Sequence, residues 1–136
     1  MNRRSLAVVA LLVLSVLVTS LPALAQSSGA TITSNVPFEF NVAGKSFPAG
    51  EYRVLNQPRQ VPALRLQSVD GKLNAALSPI TRLARQSSGE APKGSLVFDM
   101  VDGKHFLSEV WMPGQDGYLV HVSKTEEQHV VVDVKQ

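Results

Sequence analysis

The chain has no cysteine and a single tryptophan, and its only long hydrophobic run is at the start. Without cysteine there is no disulfide, no thiol nucleophile and no thiolate metal ligand, so stability must come from packing alone. Other signatures are also missing. No Gly-x-Ser-x-Gly provides the nucleophile elbow of a serine hydrolase. No His-Glu-x-x-His provides a zinc peptidase site, and no glycine-rich loop cradles phosphate. The Asp-Gly dipeptides lack the run of oxygen ligands a calcium loop requires. No nucleophile, base and orienter can be assembled, so no catalytic or cofactor-binding residue is predicted and no cofactor is expected.

An excess of charge is missing too. The full chain carries 13 Lys+Arg against 11 Asp+Glu, but Arg3 and Arg4 fall in the apolar leader described next. Without them the formal charge is zero. A neutral chain with no basic cluster has no electrostatic footprint for nucleic acid or an anionic membrane surface.

What is there begins with an address. Asn2-Arg3-Arg4 is a short basic start, Leu6 to Val18 is almost unbroken apolar sequence, and Pro22-Ala23-Leu24-Ala25 ends small-x-small. This is the form of a secretory signal peptide over 1–25, cut after Ala25. The alternative is an uncleaved anchor, since Leu6 to Leu24 has about the length needed to cross a bilayer. Thr19, Ser20 and Pro22 favour cleavage. No cysteine near the cut means no lipid-anchored form, and general secretion fits better than the twin-arginine route. The remainder, 26–136, is one domain with a lead-in over 26–29 and no membrane insertion. It is expected in the periplasm or outside the cell.

Past the leader the pattern is that of strands. Phe38, Phe40 and Val42 alternate with polar neighbours, as do Tyr52 and Val54, then Leu64 and Leu66, and finally Val130, Val132 and Val134. Val36-Pro37, Phe47-Pro48 and Gln57-Pro58 break the chain between these pieces. Val69-Asp70-Gly71-Lys72 and Val101-Asp102-Gly103-Lys104 are the same four residues, and Asp-Gly between apolar runs signals a hairpin. In the second hairpin a two-residue turn places Phe98 opposite Leu107. One face then holds Leu96, Phe98, Met100, Leu107 and Trp111. Val97, Val101, Phe106 and Val110 lie on the other. The fold class predicted is all-β, a mainly antiparallel barrel or sandwich of about seven or eight strands. Its core is predicted to comprise Phe38, Phe40, Tyr52, Val54, Leu64, Leu66, Leu96, Phe98, Leu107 and Trp111.

A few residues stand out. Glu109 sits among apolar neighbours and is expected to pair with Arg82 or Arg85. Pro79 to Arg85 reads as a short helix or a continued strand, and Ser123-x-x-Glu126 has the form of a capping box starting one helical turn. The composition of 86–94 reads as a flexible loop. His121 and His129 are the only candidates for a metal. On adjacent antiparallel strands they would be close enough to share one with Asp133 or Glu127. The plainer alternative is two surface histidines, and His105 beside its turn is expected to face solvent.

The block Val36-Pro37-Phe38-x-Phe40-x-Val42-x-Gly44-x-x-x-Pro48-Ala49-Gly50-x-Tyr52-x-Val54 resembles the opening of an uncharacterised family of small exported bacterial β-rich proteins. Leu96-Val97-Phe98 followed by Phe106-Leu107-Ser108-Glu109-Val110-Trp111 is similar to that family's second block. The resemblance implies an exported β-rich protein and assigns no catalytic or binding residue. Pro-Ala-Gly-x-Tyr-x-Val is also similar to strand entries in transthyretin-like and immunoglobulin-like extracellular modules. The expected role is a non-enzymatic interaction module whose partner is a protein or other envelope component. The alternative is a small barrel binding an apolar ligand. Medium-sized inward residues favour a filled interior and the first of these.

Overall fold

A computed structural model describes residues 29–85, 93–125 and 128–135. The predicted leader and most of the predicted 86–94 loop lie outside them.

The described chain is all-β and mainly antiparallel. Strands β1 (Ala30–Val36), β4 (Gly50–Asn56), β5 (Leu64–Ser68) and β6 (Asn74–Leu77) form one sheet in the order β1-β4-β5-β6. The second sheet runs β11-β8-β9-β10-β7, from β7 (Thr81–Leu83), β8 (Ser95–Val101), β9 (Lys104–Trp111), β10 (Gly117–Leu119) and β11 (Gln128–Asp133). The short hairpin of β2 (Phe40–Val42) and β3 (Lys45–Phe47) joins it, with β2 parallel to the start of β9. Eleven strands exceed the seven or eight expected. Ala30–Val36 escaped notice because Ser34 interrupts its alternation, and β3 and β7 are only three residues long. Thr81–Leu83 is thus neither helix nor a continuation of β6. After Leu77 the chain crosses to the other sheet, and β7 pairs with β10.

The two sheets face each other as a sandwich. Ile32, Val36, Val54, Leu64 and Leu66 meet Leu96, Phe98, Leu107, Val110 and Met112, all buried. Phe40 is at the centre, with ring centroids 5.1 Å from Tyr52, 5.2 Å from Phe98 and 5.6 Å from Phe47. Phe38, expected in the core, is half-buried at its rim, edge-on to Phe98 and stacked on His105 at 3.8 Å. His105 is therefore half-buried rather than solvent-facing.

Trp111 is the main departure. Phe98 faces Leu107 and Met100 faces His105, the register expected from the Asp102-Gly103 turn. Between Val97 and Phe98, however, the ladder slips. Leu96 pairs with Val110 and Val97 with Glu109, leaving Ser108 as an extra residue. An inserted residue exchanges the faces of everything beyond it. Val110 therefore points into the core, and Trp111 turns to the outer face beside Glu109. There the indole Nε1 donates to Glu109 Oε2 at 2.7 Å, and the Arg85 guanidinium lies 5.1 Å from the ring centre. The hydrogen-bond partner of Glu109 is thus Trp111, while Arg82 lies over the Tyr118 ring at 5.8 Å.

The two Val-Asp-Gly-Lys segments fold differently. Asp102 and Gly103 both have positive φ, 50° and 73°, as a two-residue hairpin turn demands. In the first copy only Gly71 does, at 77°. There Asp70 Oδ1 accepts hydrogen bonds from Ser68 Oγ (2.6 Å) and Lys72 N (3.0 Å). These bonds, Ser68's first, hold the Asp70 carboxyl below its ordinary pKa.

Candidate functional site

The sides of the sandwich differ. On one side β1 is laced to the segment after β11. Ser34 forms a bridge with Val134, Ser34 Oγ donates to Asp133 O at 2.8 Å, and Lys135 N donates to Thr33 O at 2.8 Å. A Lys135–Glu51 ion pair of 2.9 Å, largely exposed, adds little. On the other side β6 ends the four-stranded sheet, and among the described residues β5 is its one ladder partner.

A cleft of about 500 Å³ lies along this open side. Its walls are the end of β6 and Ser78, the β2–β3 turn at Ala43-Gly44, and Phe106 and Leu107 of β9 with Val120 and His121. That volume is in the range of small-ligand sites. Its lining includes Val42, Leu77 and Leu107 of the core cluster. Sequence reasoning missed it because its walls come from segments far apart in the chain, 41–44, 76–78, 106–107 and 120–121.

The segment after β10 builds the cleft's far wall. Ser108, pushed out of the ladder, offers its carbonyl to Val120 N (2.8 Å) and His121 N (3.3 Å), while its hydroxyl donates to Val97 O (3.1 Å). The bulge thus anchors a strap that crosses from β10 toward β11. His121 stacks on Phe106, with centroids 5.3 Å apart and planes 12° from parallel. Val120 to Ser123, read from sequence partly as strand, is this strap.

Further along, Ser123 Oγ donates to Asp99 Oδ2 at 3.2 Å. No helix occurs among the described residues, which exclude Glu126 and Glu127. Asp99 is 2 % exposed on β8 and directly opposite His129 of β11. Its Oδ1 lies 3.0 Å from His129 Nδ1, a contact that is an ion pair when the imidazole is protonated. Ser, Asp and His are therefore together, but with the carboxylate in the middle. A hydrolytic triad needs the imidazole between hydroxyl and carboxylate, so that it can take the hydroxyl proton. The arrangement instead ties the strap and β11 to β8.

The two candidate metal ligands stand on different elements. His121 stands on the strap, stacked on Phe106, and His129 on β11 opposite Asp99. Asp133 pairs with Ser95, and Glu127 lies outside the described residues. No group of three potential metal ligands occurs among the described residues, and no helix there is long and apolar enough to cross a membrane.

These features define a two-sheet all-β sandwich with one laced side and one open side. No protein-family model matches the chain, and neither does any curated protein or solved structure.

Proposed function

We propose that the protein is an exported, non-enzymatic interaction module that engages its partner through the cleft between β6, β2 and β9. Export rests on the leader over 1–25, with its basic start, apolar run and Ala-x-Ala end. The observation that carries the binding reading is the cleft, in which a stacked Phe106–His121 wall faces a sheet edge. Aromatic side chains supply large, rigid contact area at interfaces. Ile80 and Val122, 59 % and 61 % exposed, follow the cleft residues Ser78 and His121 in the chain.

The reading is tested by placing a photo-crosslinking p-benzoylphenylalanine at position 121 in the exporting host. A matched protein carries it at Gln67, on the outer face of the four-stranded sheet. A specific adduct to an envelope component from position 121, weakened by Phe106→Ala, is the expected result. Adducts from position 67 alone would move the contact surface elsewhere.

A further inference from the structure

We infer that the cleft's occupant is an extended peptide segment of a partner protein, added as a strand along the free edge of β6. The inference rests on the cleft being the contact site. It goes further in fixing the chemistry of what binds there.

The register of β5 and β6 settles which backbone groups face the cleft. Ser68 N donates to Leu73 O, and the ladder continues through Leu66–Ala75 and Leu64–Leu77. Hydrogen-bonded and non-hydrogen-bonded pairs alternate in an antiparallel ladder. Ser68–Leu73, Leu66–Ala75 and Leu64–Leu77 are therefore the pairs that bond across. The N–H and C=O of Ala76, and those of Asn74 and Ser78 on either side, point away from β5. Ala76, Leu77 and Ser78 line the cleft.

A row of outward donors and acceptors is a template for another strand. Proteins commonly blunt such an edge with Lys, Pro or a bulge. Asn74-Ala75-Ala76-Leu77 has no charge and no Pro, and the next Pro after it is Pro79. The lining has no Lys, Arg, Asp or Glu. Charge complementarity therefore selects a segment with neutral side chains. Added against β6, its alternate residues would reach the Phe106–His121 wall. A small apolar molecule would use that wall but leave the backbone row unpaired, so a peptide is the better fit.

Ala76→Pro separates these occupants. Proline deletes the central of the three outward N–H groups, that of residue 76, and leaves the inward-bonded Ala75 and Leu77 intact, the position at which an edge strand tolerates it. Ala75, which precedes it, is already in strand conformation. The probe is a phage-displayed library of random short peptides panned on the full chain. Enriched sequences are then synthesised with single backbone N-methyl groups. The inference expects neutral peptides whose affinity falls about tenfold or more in Ala76→Pro, equivalent to about 1.4 kcal/mol. It also expects sensitivity to N-methylation at alternate positions only. That second signature stands even if Ala76→Pro folds poorly, which thermal melting would reveal.

Peptides weakened by Phe106→Ala but indifferent to Ala76→Pro and to N-methylation would overturn strand addition and leave the cleft as the contact site. Peptides indifferent to all three changes would overturn both readings. Failure to enrich any peptide over background overturns the inference. So does self-association in sedimentation that Ala76→Pro abolishes, since the edge would then be taken by a second copy.

Discussion

The outward turn of Trp111 depends on one serine. Ser108 is the extra residue of the bulge, is 2 % exposed, and bonds through its hydroxyl to the Val97 carbonyl. Ser108→Ala keeps the chain length but removes that donor from a buried carbonyl. The expected cost is about 1–3 kcal/mol, read as a lowered denaturant midpoint. Phe98 and Trp111, which the sequence placed side by side, should respond differently to truncation. Phe98→Ala empties the core and should cost about 3–5 kcal/mol. Trp111→Ala loses a cation–π contact and one hydrogen bond, together about 1–2 kcal/mol. Gly117 provides a further check, because a Cβ there would lie 2.6 Å from the Trp111 ring. Gly117→Ala should therefore destabilise the wild type but cost much less in a Trp111→Ala background. Equal costs in the two backgrounds would mean that the indole does not lie over β10.

Among the elements, the turn joining β5 and β6 is a pH-sensitive piece. Its Asp70 is held ionised by Ser68 and by the Lys72 amide. A carboxyl whose folded pKa lies below its unfolded value stabilises the fold fully above the ordinary carboxylate range. That contribution is lost as the pH falls through the range and below it. Thermal midpoints measured on acidification should therefore fall further in the wild type than in Asp70→Asn, and Ser68→Ala should behave like Asp70→Asn. The same tetrapeptide at Val101–Lys104 closes a tight hairpin. There the flanking strands run fully paired up to the turn, so Asp102 has to take positive φ. In the first copy the last bonded pair is Ser68–Leu73, and the four-residue loop 69–72 lets Asp70 hydrogen-bond its neighbours instead.

For the molecule as a whole, the difference between its two sides matters most. The β1–Val134 seam closes one flank, and the crossing from β6 to β7 leaves the other open at the cleft. The protein that presents this cleft is expected to be exported. Produced in a bacterium with a periplasm, it should begin at Gln26 by intact-mass analysis. A membrane-bound product retaining 1–25 would favour the uncleaved anchor instead.

The period-two alternation of Phe40, Tyr52, Val54, Leu64 and Leu66, with the Asp102-Gly103 turn, was enough to define an all-β chain and most of its core, because each is a local property of strand geometry. Ser34 hid β1, since a buried hydroxyl breaks the alternation and is accommodated only by the distant Asp133 carbonyl. The outward turn of Trp111 had no local mark, because a bulge arises between two paired strands. The identity of Glu109's partner followed from that bulge. The clustering of Ser123, Asp99 and His129 depended on the order of strands in the sheet. The cleft needed one step more: its walls come from β2, β6, β9 and the segment after β10, and only the assembled sandwich brings them together and leaves β6 with one ladder partner among the described residues.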